Sequence, residues 1–167
     1  MFSVELLPDA RLDAALRGEW LRLIDAGLPS AGRNQAPSNR PHITLAVRER
    51  LEVTALTGLA DLLPLPVELG GMLLFGRARR FVLTRQVVPS AALLALHAGV
   101  AARLGPPEAR YANTAPDRWS PHMTLARGLD AEQLALALRV IEHPPLAGEG
   151  RALRVWDAAA RTITTLE

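Results

Sequence analysis

The sequence predicts an α+β protein made by internal duplication, its two halves each built on a β-α-β-α-β unit. Three observations carry this. The word Pro-His-x-Thr-Leu-Ala is written twice, as PHITLA at 41–46 and PHMTLA at 121–126, so that His42 and His122 stand 80 positions apart. Each copy ends a long polar loop that follows a strand pattern and then a helical pattern. Val4 in the first strand lies 38 residues before His42, and Leu83 in its counterpart lies 39 before His122. A period of this size marks a repeated supersecondary unit. The expected organisation is one domain over 1–167 with two similar lobes, approximately 1–75 and 76–167, the terminal strands free to be exchanged between them.

Each element has its own signal. FSVELL (2–7) alternates and ends at Pro8, as a first strand does. Asp9 opens a helical pattern, with Leu12, Leu16, Trp20 and Leu23 at spacings of three and four, over about 9–26. Residues 27–41, rich in Gly, Pro, Ser and Asn, read as loop. HITLAV (42–47) is a strand. A short helix is expected over 52–62, stopped by Pro64 and Pro66. VELGGMLLF (67–75) is a strand with a glycine bulge at Gly70-Gly71. RFVLTRQVV (80–88) is a strand. Ser90 leads into a helix over about 91–104, with Leu93, Leu96, His97 and Val100 on one stripe. Residues 105–121 form a second polar loop, and HMTLAR (122–127) the matching strand. Asp130 caps a helix over about 131–142. HPPLAGEG (143–150) reads as a turn, and RALRVWDAAA and RTITTLE as closing strands.

Composition narrows the chemistry. Apolar residues make up 49% of the 167, enough for a core and too many for disorder. Cysteine is absent, which excludes disulfides, thiolate metal sites and a cysteine nucleophile. All 19 basic residues are arginine. Without lysine the chain cannot form a lysyl-adenylate, so ATP-dependent ligation of that kind is excluded, and any anion site would be built from guanidinium groups. A net charge of +2 is too small to argue duplex DNA binding. The first residues carry no secretory leader, and no apolar run approaches the ~20 residues of a membrane span, so a cytoplasmic protein with no membrane contact is expected. Neither a P-loop nor a dinucleotide fingerprint occurs, and the four histidines have no metal-ligand spacing, so no cofactor and no metal are expected.

The repeated word carries the chemistry. In a strand, residues i and i+2 share a face about 7 Å apart. His42 with Thr44, and His122 with Thr124, therefore point one way, while Ile43, Leu45, Met123 and Leu125 point the other, apolar way. Side by side, the two strands would give one pocket with two imidazoles and two hydroxyls. Two imidazoles, with an ordinary pKa near 6.5, can serve as general base and general acid on opposite sides of a phosphorus centre. Two hydroxyls can hold the non-bridging oxygens. Packing alone would preserve the Leu-Ala pair of the word, not its polar pair.

NRPHITLA and RWSPHMTLAR resemble the paired His-x-Thr motifs of the 2H phosphoesterase superfamily, and most closely its bacterial branch of 2′-5′ RNA ligase-like proteins, the RNA 2′,3′-cyclic phosphodiesterases. The succession LLFGRARRFVLTRQV, LLALHAGVAARLG and PHMTLAR is similar to that branch too. The resemblance covers nearly the whole chain. It implies a bilobal pseudo-twofold fold with antiparallel sheets flanking a central cleft, His42 and His122 as catalytic histidines, Thr44 and Thr124 as phosphate-binding threonines, and Arg127 as a substrate-phosphate contact. Val47 at the matching place makes the site asymmetric. The implied partners are RNA ends or small nucleotides with a cyclic phosphate, handled by a monomer without metal and yielding a 2′-phosphate, with reverse 2′-5′ ligation open to the same chemistry. The alternatives are another substrate, such as ADP-ribose cyclic phosphate or a 2′-5′ oligonucleotide, or a binding module without turnover. The N-terminal half departs from the RNA-processing members, which leaves the substrate open.

Other residues are candidates by position. Arg40 and Asn39 precede the first histidine and could meet a ribose or phosphate. Arg118 and Trp119 precede the second, and Trp119 could stack on a base, as could Tyr111. Core packing is the expected role of Phe75, and a structural role that of His97. Arg77, Arg79 and Arg80 beside Phe81 read as a solvated hairpin turn, and His143 is assigned no role.

Overall fold

The computed structural model describes residues 1–142 and 144–167, with Arg77 described by its backbone alone; His143 and the Arg77 side chain lie outside the described residues. In chain order the elements are β1 (Phe2–Pro8), α1 (Ala10–Asp25), β2 (Ile43–Arg48), β3 (Leu65–Arg77), β4 (Arg80–Val87), α2 (Ala91–Leu104), β5 (His122–Leu129), α3 (Ala131–Val140), β6 (Leu146–Asp157) and β7 (Thr162–Leu166). The strands form one antiparallel sheet in the order β2-β1-β6-β3-β4-β5, with β7 on β6. The fold is α+β.

The strand order shows the duplication. β1 and β2 in the first half match β4 and β5 in the second. The block β2-β1 is completed by β6 from the second half, and the block β5-β4 by β3 from the first. β3 and β6 join the blocks through the pairs Leu65↔Gly150 to Leu69↔Leu146. β2 and β5 end the sheet at its two edges, yet they approach each other, so the sheet curls until its edges face.

Local chemistry places the helices. Asp9 caps α1 by accepting from Leu12 N at 2.8 Å, Ser90 caps α2 through Leu93 N, and Asp130 forms a capping box with Gln133 on α3. Each of the two longer helices buries a stripe: Leu12, Leu16, Trp20 and Leu23 on α1; Leu93, Leu96, His97 and Val100 on α2. Gly70-Gly71 makes the bulge, with the β3–β4 register shifting between Leu69 and Met72. No helix among the described residues is long and apolar enough to cross a membrane.

Two expectations are corrected. The helix over 52–62 is instead two 3₁₀ turns, Val53–Leu56 and Ala60–Leu62. Gly58 between them has φ +78, and the Thr57 hydroxyl bonds back to Thr54 O, so the chain cannot carry one α-helix through. The turn expected over 143–150 is, from Leu146, the start of β6. Its glycines mark close approach: a Cβ on Gly148 would lie 2.5 Å from Asp9 Oδ2, and one on Gly150 2.8 Å from the Leu6 side chain.

The core falls into two clusters. One joins Val4, Leu6, Ile43, Leu45, Leu93, Leu96 and Met123; the other joins Trp20, Leu23, Leu83, Leu125, Ala137 and Ile141. Trp20, from the first half, sits in the second cluster and donates its indole N–H to the Thr124 carbonyl at 3.0 Å. Trp119, from the second half, donates to the Thr44 carbonyl at 2.9 Å and packs on the first cluster. Each half thus pins the His-x-Thr strand of the other.

Trp20→Ala should destabilise the fold by about 3–5 kcal/mol through the lost ring. Trp20→Phe keeps an apolar ring and loses the bond, for a cost of about 1 kcal/mol. Urea midpoints at unchanged slope measure both; equal losses would mean that the hydrogen bond, not the packing, carries the contact.

Candidate active site

The two histidines are held by the same local device. Pro41 and Pro121 restrict the residues before them to extended backbone. The carbonyls of those residues then meet the imidazole two positions on: His42 Nδ1 lies 2.7 Å from Arg40 O, and His122 Nδ1 lies 2.7 Å from Ser120 O. A carbonyl only accepts, so Nδ1 carries the hydrogen in both rings. In the neutral ring Nε2 is left with its lone pair for proton chemistry.

The strand pattern sorts the faces as alternation demands. Ile43, Leu45, Met123 and Leu125 are fully buried, while His42, Thr44, His122 and Thr124 are half-buried on the other face. A cleft of ≈ 240 Å³ is lined by Thr44, Val47, Phe75, Tyr111, Asn113, Thr114, Arg118, Trp119, Ser120, His122 and Arg127. His42 and Thr124 stand outside that lining. His42 is still near enough for its charge to act on His122. Arg127 donates to the Thr124 hydroxyl at 3.3 Å. The Phe75 ring packs on the His122 imidazole, centroids 4.8 Å apart and tilted by 55°. The cleft therefore brings together Thr44, His122, Arg127 and Trp119 among the expected residues, with an arginine on the β5 side where β2 has Val47.

The remaining candidates separate. The Arg40 guanidinium does not reach the cleft: it bonds Asp13 Oδ1 at 3.1 and 3.0 Å and lines a different hollow with Arg11 and Arg151. Asp13 draws it away, and Arg40 serves His42 through its carbonyl alone. Asn39 closes its own loop by donating to the Ala31 and Asn34 carbonyls. Trp119 lines the cleft, but one face is taken: it stacks on His97 at 3.8 Å and 4°. His97 is buried and bonds the Thr114 carbonyl at 3.1 Å, a structural position. Tyr111 donates to Glu49 at 2.5 Å. Arg79 takes positive φ at the β3–β4 turn, and Arg80 donates to Gly128 O at 3.0 Å.

One residue with no place in the sequence reading is Glu5. It is 4% exposed, and its Oε1 lies 3.7 Å from His42 Nε2. Its other oxygen accepts from Arg154 Nε and Nη2, both at 2.7 Å, and the Ser3 hydroxyl donates to Oε1 at 2.7 Å. The available signal was a lone charge in an otherwise apolar strand, Val4-Glu5-Leu6.

The two imidazoles meet different fields. Burial pushes the His122 pKa below 6.5, and the positive charges of Arg127 and His42 push the same way; the Ser120 carbonyl opposes them. His122 is thereby readier to be neutral than an ordinary imidazole.

A family model described as the 2′-5′ RNA ligase superfamily matches residues 12–162. The crystal structure of TT0787 of Thermus thermophilus superposes with a TM-score of 0.61 at 21% identity, covering 99% of this chain and 94% of that one. Escherichia coli LigT complexed with ATP gives 0.55 at 18% identity, covering 99% and 94%. A structure described as a phosphoesterase gives 0.52 at 17%, covering 99% and 92%. These likenesses are of fold, over the whole chain. No curated protein matches the sequence.

Because His122 is depressed below 6.5, the unfolded chain binds a proton that the folded chain refuses just below that pH. The His122 contribution to stability is thus complete above about pH 6.5 and falls on acidification. Histidine NMR should show His122 titrating below 6.5 in the wild type. Arg127→Gln should raise it only in part, since burial is the larger cause; a full return to 6.5 would make Arg127 the dominant one.

Proposed function

Because the chain belongs to the 2′-5′ RNA ligase superfamily, we propose that it is a metal-independent phosphodiesterase that opens the 2′,3′-cyclic phosphate at an RNA end or on a small nucleotide, leaving a 2′-phosphate. The family supports an enzyme with phosphodiesterase-type activity on nucleotides or RNA. The carrying observation is the pair of half-buried His-x-Thr strands near each other, each imidazole with Nδ1 tied to a carbonyl and Nε2 left for a proton. The ATP in the Escherichia coli LigT structure supports a ligand of nucleotide size.

The geometry suggests how the steps divide. A water enters in line with the scissile bond, and His122 Nε2, held neutral by burial and Arg127, takes its proton. The new phosphorus–oxygen bond forms as the bond from phosphorus to the ribose 3′ oxygen breaks. His42 gives that oxygen its proton. Thr44 and Thr124 hydroxyls, with the Arg127 guanidinium, hold the non-bridging oxygens and offset the charge that builds on them. With a 5′-hydroxyl in place of water as the attacking group, the same step in the same direction would join two RNA ends through a 2′-5′ bond, the ribose 3′ oxygen again leaving with the proton from His42.

His42→Ala and His122→Ala should each abolish turnover of nucleoside 2′,3′-cyclic monophosphates with the fold intact by circular dichroism. Thr44→Ala or Thr124→Ala should cost about 10²–10³-fold by analogy with the loss of one oxyanion donor. Activity should persist in EDTA, and its pH profile should be a bell, with one limb from each histidine. Normal rates in either histidine variant would refute the mechanism.

A further inference from the structure

The duplicated frame breaks its symmetry next to His42. On β1, Glu5 pairs in register with Thr44; on β4, the residue paired with Thr124 is Thr84. The two positions match, yet one is a carboxylate and the other a hydroxyl. Thr84 spends its hydroxyl on the Leu73 carbonyl at 2.8 Å. His122 therefore has no carboxylate at the corresponding place. It meets Arg127 instead.

Glu5 is costly where it stands. A buried carboxylate needs donors. Arg154 supplies two, both to Oε2, and Ser3 supplies one to Oε1. Together Glu5 and Arg154 are neutral, but the pair is oriented: its positive end lies on β6, and Oε1 at its negative end faces His42 Nε2 at 3.7 Å. His42 Nδ1 already donates to Arg40 O. A neutral ring would set the Nε2 lone pair against a carboxylate oxygen. The doubly protonated ring turns the same approach into an attraction.

We propose that Glu5 is a positioning residue: its carboxylate, oriented by Arg154 and Ser3, holds the proton on His42 Nε2 and so makes His42 the acid of the pair. The proposal rests on the phosphodiesterase reading for its consequence, not for the contact. Among the described residues, the charged groups near His42 are Glu5 on β1, Arg154 on β6 behind it, His122 on β5, beside which Arg127 stands, and Arg40, which is itself paired with Asp13. Among these groups, Glu5 carries the carboxylate that lies within 4 Å of the ring. In the reaction, the Nε2–H bond breaks as the leaving ribose oxygen gains the proton. The ring is then neutral against Glu5, which favours its reloading by a proton from water.

The test is a pH titration followed by ¹³Cε1-histidine NMR, with His42→Ala to assign the signal. In the wild type the His42 signal should be that of the charged ring at a pH where His122 is already neutral. Glu5→Gln should move the loss of the His42 proton to lower pH while His122 shifts less. If Glu5→Gln leaves Arg154 unpaired and fails to fold, Glu5→Leu with Arg154→Met removes the pair together and carries the same expectation. Glu5→Asp should restore the wild-type order in part. On a cyclic phosphate substrate, the alkaline limb of the bell should move to lower pH in Glu5→Gln, with turnover on that limb reduced roughly tenfold beyond any loss at the optimum. A His42 signal that titrates alike in wild type and in the folded variants would overturn the proposal. The titration needs no substrate, so a failure to turn over any cyclic phosphate would count against the function and leave the Glu5 result to stand or fall by itself.

Discussion

The site depends on two reciprocal hydrogen bonds. Trp20 of the first half donates to the Thr124 carbonyl, and Trp119 of the second donates to the Thr44 carbonyl. β2 and β5 are the edge strands of one sheet. An edge normally presents unpaired backbone groups to solvent or to another chain. Here the sheet curls, and an indole from the opposite half meets a carbonyl at each edge. Each bond contributes only about 1 kcal/mol net, but leaving such a carbonyl buried and unpaired costs about 1–3 kcal/mol. The rings add apolar burial in both core clusters. Trp119 is fixed in turn by stacking on His97, which bonds the Thr114 carbonyl and so anchors the loop before β5.

Duplication explains why the two imidazoles are built alike, and the proposed displacement gives a reason for them to differ. The proline before each histidine sets the carbonyl that ties Nδ1, and this device is the same in both halves. An in-line displacement needs a proton taken on one side and given on the other. Identical surroundings would leave both rings in the same state. The differences lie outside the repeated word. Val47 stands where β5 has Arg127, and Thr84 stands where β1 has Glu5. A cation stands near one ring and a carboxylate near the other.

The sequence was most legible where one residue sets its own surroundings. The His-x-Thr faces follow from strand alternation, the α1 and α2 stripes from helical spacing, and the Gly70-Gly71 bulge from the missing side chains. It was least legible where a distant segment decides. Gly148 and Gly150 look like turn residues, but they are small because Asp9 and Leu6 press against them. Arg40 looks like a phosphate contact beside its histidine, but Asp13 on α1 takes its guanidinium. Glu5 precedes His42 by 37 positions, and only the pairing of β1 with β2 and β6 brings it to the ring beside Arg154. No local spacing records such a neighbour.

A comparison within the chain shows that the surroundings of Glu5 are built rather than incidental. Glu19 and Arg85 form a second buried acidic–basic pair, joining α1 to β4. Their nearest approach is 3.5 Å, and among the described residues Glu19 Oε2 and Arg85 Nε and Nη1 have no hydrogen-bond partner. Burial there outweighs the arginine and pushes the Glu19 carboxyl up to about 7. Such a group stabilises the fold below its ordinary pKa of 4.5 and loses that contribution as pH rises through about 7. Glu5 is buried to a similar degree but accepts three bonds at 2.7 Å. The donors, not the burial, distinguish the two. Where β1 and β6 supply them, the buried carboxylate has its hydrogen bonds satisfied; where α1 and β4 do not, burial drives the side chain toward its neutral form. The chain therefore contains both outcomes for a buried glutamate, and the one with its donors satisfied is the one set against a histidine of the repeated word.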